Sequence, residues 1–191
     1  MKCANLGVFT EVKVIQNTIH EDKRGFFLEA FNKKILFKYL SEEINFVQDN
    51  HSRSKKGVIR GLHFQRNPFA QAKLIRVTKG AILDVVVDIR LTSKNFGKWA
   101  SIEINEKNAY MLFIPEGFAH GFLTIENNTD VLYKTNNFYT PDSDGSLLWN
   151  DPDIGINWEL KSYKIENPII SKKDRNALNL GELNEKKLLF P

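Results

Sequence analysis

The 191 residues carry a formal net charge of +4, 42% hydrophobic and 12% aromatic side chains, and a single cysteine, Cys3. A lone thiol excludes an internal disulfide framework, and scattered lysines and arginines without a basic stripe and interleaved aromatics argue against a nucleic-acid partner. The length suits one domain with a real core and is short for two, so we expect a single domain over residues 1–191.

The first residues, Met-Lys-Cys-Ala-Asn-Leu-Gly, lack the apolar centre of a signal peptide. The longest apolar runs fall short of the ~20 residues a membrane helix needs, so we expect a cytoplasmic protein with no membrane partner. Strands are predicted over 8–15 and 26–31, and a helix over 32–43, where Ile35, Leu36, Tyr39 and Leu40 share one face. Further strands are predicted over 58–64, 72–78, 81–89, 98–104, 109–114, 121–125 and 131–139. Lys79-Gly80, residues 105–108 and Asn127-Asn128 supply turns. Many short strands with little helix predict an all-β antiparallel sandwich or barrel such as a jelly roll. From about residue 140 the pattern changes to loops with large apolar anchors, expected to lid or brace the barrel. The polar run Ser171-Lys-Lys-Asp-Arg-Asn reads as a solvated tail.

Two motif-dense stretches, Arg-Gly-Leu-His-Phe-Gln at 60–65 and Ile-Pro-Glu-Gly-Phe-Ala-His-Gly-Phe at 114–122, each hold one of the four histidines. A metal centre is not expected, because the segment around His63 holds no second ligand at metal-binding spacing and the four histidines are widely scattered. No Gly-x-Ser-x-Gly elbow and no glycine-rich phosphate loop is present. General acid–base work by His63 remains, with Arg60, Lys73, His120 and Tyr133 as partners. Residues two apart on a strand share a face, so Tyr133 and Tyr139 are expected on one side of one strand. Arg60 and His63 have opposite parity and can share a pocket only if Gly61 marks a bulge. Asp84 and Asp88 share a face of an otherwise Val/Ile strand, so at least one is expected to be buried and paired with Arg60 or Lys73. Taken singly, His63, Tyr133 and these aspartates fit a structural role as well as a catalytic one.

Taken together, Arg24-Gly-Phe-Phe-Leu-Glu29, Gln48-Asp-Asn-His51, the two histidine motifs, Gln71-Ala-Lys73, Asp88-Ile-Arg90, Tyr133-Lys134 and the run from Gly145 to Asp151 resemble the dTDP-4-dehydrorhamnose 3,5-epimerase family over nearly the whole chain. The resemblance implies a cupin-type jelly roll that works as a homodimer, without metal or cofactor, on a dTDP-sugar. It implies His63 as the base beside the C4 ketone, Asp174 as its orienting carboxylate, and Tyr133 as the acid on the opposite face of the sugar. Lys73, with Arg60, would stabilise the enolate oxygen. Arg24, Gln48, Asn50, Arg60, His120 and Lys173 would contact the diphosphate and nucleoside, and Tyr139 would stack on thymine. Phe27 and Glu29 would enter the partner subunit's pocket. Asp144, a nucleotide contact by resemblance, stands where a Glu is expected. Three alternatives are carried forward: an epimerase inverting only C3 or only C5, one acting on another nucleotide's 4-keto sugar, and a non-catalytic sugar-nucleotide-binding cupin.

Overall fold

The computed structural model describes residues 2–40 and 43–191. In its first half the strands are β1 (Lys2–Leu6), β2 (Phe9–Gln16), β3 (Ile19–Asp22), β4 (Gly25–Leu28), β5 (Gln48–Ser54), β6 (Val58–Gln65), β7 (Lys73–Lys79) and β8 (Ala81–Asp88). The remainder are β9 (Trp99–Asn105), β10 (Tyr110–Ile114), β11 (Phe118–Thr124), β12 (Thr129–Thr135), β13 (Asp144–Ser146) and β14 (Ile169–Ile170). Among the described residues three short α-helices, α1 (Lys33–Leu36), α2 (Lys172–Arg175) and α3 (Leu180–Glu185), and a 3-10 turn, Pro141–Ser143, complete the fold.

Strands β1, β2, β10, β7, β12 and β5 form one antiparallel sheet in that order. The second sheet runs β13, β6, β11, β8, β9, with β14 added in parallel to β6. This is the all-β jelly roll predicted from strand spacing. Period-two alternation decides what each face does. Ile82 and Val86 of β8 join Ile75, Leu112 and Val131 of the first sheet in the core between the sheets. The intervening Leu83, Val85 and Val87 face the other way and pack with Trp158, Leu183 and Phe190 from the C-terminal segment. Covering the second sheet on both faces is what lets β8 be buried at all eight positions.

Two expectations are corrected, and one strand is new. The helix over 32–43 is a single turn, Lys33–Leu36, capped by the Asn32 side chain. Leu36, Phe37 and Leu40 instead pack beside Ile44 and Phe113 in a separate apolar cluster, while Ser41 and Glu42 lie outside the described residues. The strand over 26–31 ends at Leu28 and pairs only with β3, as a two-stranded hairpin off both sheets. Strand β5 had no counterpart in the sequence reading, because Gln48–Ser54 contains no β-branched aliphatic or aromatic residue.

Candidate active site

The site begins at a glycine. In the β6–β11 pairing His63 lies opposite His120 but Arg60 lies opposite Phe122, so Gly61 and Leu62 together face the single Gly121. That extra residue is the bulge demanded by the parity conflict, and it lets Arg60 and His63 line the same cavity while Leu62 joins the core on the other face. A Cβ on Gly61, at φ +116°, would stand 2.6 Å from the Gly121 Cα, and a Cβ on Gly121 would stand 2.6 Å from the Arg60 carbonyl oxygen. The two backbones approach so closely that neither position accepts a side chain.

A cavity of about 580 Å³ opens inside the barrel at this bulge. On one wall the His63 Nε2 lies 2.6 Å from Asp174 Oδ1. Asp174 is buried, and this overturns the reading of the Ser171 run as a solvated tail. The parallel pairing of β14 with β6 carries the chain back to the bulge, and the Ser171 side chain caps α2 by accepting the Asp174 N–H. Burial tends to raise the Asp174 carboxyl, but the His63 hydrogen bond and charge, with Ser171 and the Gly61 N–H, outweigh it and hold the group below its ordinary range. A carboxylate on one ring nitrogen fixes which nitrogen is left to exchange a proton with a ligand.

Two buried ionisable groups line the floor, Lys73 (β7) and His120 (β11), and a third, Asp84 (β8), lies beneath it. Lys73 Nζ donates to the His63 carbonyl oxygen at 3.0 Å, so the ammonium sits beside the histidine. Burial brings its pKa down to about 8, against the opposing charges of Asp84 and Asp144. That shift corresponds to a net cost of about 3 kcal/mol for keeping the charge. His120 Nε2 lies 3.0 Å from Asp84 Oδ2. Burial moves both groups toward their neutral forms, raising Asp84 and lowering His120, while each one's charge opposes the other's shift. Asp84 is thus paired as expected, but with His120. Asp88 is held by Arg90 and Ser93, and neither bonds to Arg60 or Lys73. The Arg60 Nε donates instead to Ser54 Oγ at 3.0 Å.

Tyr133 lines the same cavity, its hydroxyl pKa raised by burial against the charge of Arg60. Tyr139 lies at the mouth, 55% exposed, but not on the strand of Tyr133, since β12 ends at Thr135. Three hydrogen bonds hold its loop. Gln65 Oε1 accepts the Thr140 N–H at 2.8 Å, Gln65 Nε2 donates to the Phe138 carbonyl at 3.1 Å, and Gln48 Oε1 accepts the Tyr139 N–H at 3.0 Å. The Tyr139 hydroxyl donates to Asp144, which also pairs with Lys173.

Five candidates are not brought to the cavity wall. Arg24 pairs with Asp22 on the β3–β4 hairpin, Phe27 on the same hairpin is 70% exposed, and Glu29 accepts from the Asn32 amide. Gln48 and Asn50 bond to one another along β5. Four polar wall residues went unassigned in the sequence: Ser52, Gln65, Gln71 and Ser171. Gln65 was findable, because it closes the Arg-Gly-Leu-His-Phe-Gln motif, whereas nothing local marks Ser52. Among the described residues, no group of three or more His, Cys, Asp or Glu side chains is placed to hold a metal ion.

Fold and site together define a cupin-type jelly roll with a polar, ionisable cavity inside the barrel. The chain belongs to the dTDP-4-dehydrorhamnose 3,5-epimerase family, whose model matches residues 8–182. A dTDP-4-dehydrorhamnose 3,5-epimerase from Shigella flexneri is 45% identical over 167 residues, 87% of this chain and 90% of that one. The structure of a dTDP-6-deoxy-D-glucose-3,5-epimerase from Legionella pneumophila, in complex with dTDP-4-keto-L-rhamnose, matches with a TM-score of 0.92 at 40% identity, covering 99% of this chain and 97% of that one. A 3'-monoepimerase from Streptomyces bikiniensis, in complex with dTDP-quinovose, matches with a TM-score of 0.89 at 30% identity, covering 97% and 91%.

Proposed function

We propose that this protein inverts C3 and C5 of dTDP-4-dehydro-6-deoxy-D-glucose, giving dTDP-4-dehydro-L-rhamnose, by proton abstraction and return. The observation that carries this reading is the His63–Asp174 pair at 2.6 Å in one cavity with Tyr133 and Lys73. The C4 ketone acidifies the neighbouring C–H bonds. His63 takes the proton, and the C–H electron pair moves into the ring as a C=C bond while the carbonyl oxygen becomes an enolate. Lys73 and Arg60 stabilise that oxygen, which is the contribution that usually dominates such chemistry. Tyr133 then delivers a proton to the opposite face of the same carbon, and exchange with solvent resets both groups. The sequence is redox-neutral and needs no metal or cofactor.

The mouth, with Tyr139, Asp144 and Lys173, suits the nucleotide end. Burial of His120 beside Lys73 supports a contact to the sugar for this residue, in place of the nucleoside contact implied by resemblance. Phe26 and Phe27 on the β3–β4 hairpin are 66% and 70% exposed, which supports a homodimer in which Arg24, Phe27 and Glu29 complete the partner subunit's pocket. The free thiol of Cys3 suits work in the cytoplasm.

The similarity to a 3'-monoepimerase keeps inversion at a single carbon as a second reading. One experiment separates them: NMR of the purified protein with dTDP-4-dehydro-6-deoxy-D-glucose in D2O, following exchange and configuration at both carbons. Deuterium at C3 and C5 with an L-rhamnose product after reduction is the expected result. Exchange at one carbon selects the second reading, and binding without exchange rejects both.

A further inference from the structure

We propose that Asp84 is a positioning residue for this reaction: its carboxylate, sealed under the cavity floor, holds His120 and keeps the floor cationic where the enolate oxygen forms. The inference rests on the acid–base reading above and extends it to a residue that does not line the cavity.

Along the face of β8 that carries Asp84, the flanking positions are Ile82 and Val86, both in the core between the sheets. A strand needing only to pack would carry an aliphatic side chain at 84, because a carboxylate buried among such neighbours is costly unless it is paired. Asp84 is 0% exposed and is only half satisfied. Oδ2 binds His120, whereas Oδ1 is buried with no hydrogen-bond partner. A pair serving only to fasten β8 to β11 gains nothing from the unbonded oxygen.

What the carboxylate does supply is negative charge beneath Lys73 and His120. His120 faces it from β11 and Lys73 acts on it from β7, while the charge of Asp144 reaches Lys73 from the mouth. His120 in turn feels Lys73 and, across the β6–β11 ladder, His63. The protonated forms of these two groups repel one another and are stripped of water, so both tend to lose their protons. The Asp84 charge opposes that loss at both groups, and Lys73 holds its ammonium against the His63 carbonyl, beside the base. Remove the charge and the floor moves toward neutrality while the base and its Asp174 partner stay in place.

The test is Asp84→Asn in the full-length protein, with kcat/KM followed from pH 5 to 10 beside the wild type. We expect dTDP affinity within about threefold of wild type, a fall in kcat/KM of about 100-fold or more, and an alkaline limb displaced to lower pH. A purely structural aspartate would lower thermal stability and leave the limb where it was, and that result overturns the proposal. Should the variant fail to fold, 13C NMR of the wild-type Asp84 carboxyl decides: an ionised group at pH 7 supports the proposal, and a protonated one overturns it. Failure of the wild type itself to exchange deuterium would instead reject the underlying reaction.

Discussion

His63 and His120 stand opposite one another on β6 and β11, each against an aspartate, and the two pairs differ in everything except their chemistry. The His63 side chain is 36% exposed and its carboxylate 5%, whereas His120 is 8% exposed and Asp84 fully buried. Asp174 arrives from a late segment of the chain, and the Gly61 N–H approaches its second oxygen at 3.5 Å. Asp84 is fixed in a central strand with its second oxygen unbonded. An imidazole at the edge of a cavity, with its carboxylate held low, is suited to exchanging protons with a ligand. One set into the floor, with its carboxylate sealed beneath it, is suited to holding its place rather than to exchanging protons. The contrast teaches that access and the partners of the carboxylate, rather than the histidine–aspartate pairing itself, set what each imidazole is suited to do.

The contrast is tested most severely by His63→Asn against His120→Asn. Replacing His63, the proposed base, is expected to lower kcat/KM by about 10²- to 10⁴-fold and to abolish deuterium exchange, with dTDP affinity little changed. His120→Asn should fall less and keep measurable exchange. Equal losses of exchange in the two variants would erase the distinction. Next in size is Gly61→Ala. The new Cβ meets the Gly121 backbone at a positive φ, so a loss of about 1–3 kcal/mol in stability is expected, with a drop in turnover as Arg60 and His63 lose their common orientation. Chemical denaturation and steady-state rates check the two effects, and an unperturbed variant would show that the bulge does not align the site.

A smaller effect is pH-dependent. Lys73 is cationic below its pKa of about 8 and neutral above it, so kcat/KM should decline as pH rises through that value. Lys73→Met should be slow at every pH and lack that limb. A wild-type profile that stays flat to pH 10 would remove the ammonium from the mechanism.

How far the sequence discloses this arrangement depends on how local the cause is. The bulge was legible, because Arg60 and His63 cannot share a pocket by parity and a glycine stood between them. The buried carboxylate was legible too, since Asp84 interrupts an aliphatic strand, although its partner was not. Strand β5 was hidden for a physical reason: its less exposed face carries Gln48, Asn50, Ser52 and Ser54, so the usual apolar alternation is missing. Asp174 was hidden by distance, since a polar Ser-Lys-Lys-Asp run says nothing locally about a partner 111 residues earlier, and only resemblance to a family pointed there. Tyr139 reaches the cavity by a loop that Gln65 holds, which parity along a single strand cannot describe.

A third histidine–aspartate pair on the outside of the barrel gives the comparison its lower end. His51 Nε2 lies 3.1 Å from Asp130 Oδ1, and Arg53 grips both oxygens of Asp130 at 2.7 Å. The Arg53 hydrogen bond, aided by His51, depresses the Asp130 carboxyl from its ordinary 3.8 to about 2. With the folded pKa below the unfolded one, the stabilisation is present above about 3.8 and is lost as pH falls through about 2. His51 and Arg53 are 56% and 64% exposed, so solvent and salt screen the cluster and the effect is small at neutral pH. Asp130→Asn should therefore leave turnover near wild type, and its stability deficit should shrink as pH is lowered from 4 toward 2 and as salt is raised. Denaturant midpoints across that range measure it. A deficit that persists unchanged at pH 2 would mean that Asp130 serves packing rather than charge, and an accompanying loss of turnover would tie the outer pair to the cavity.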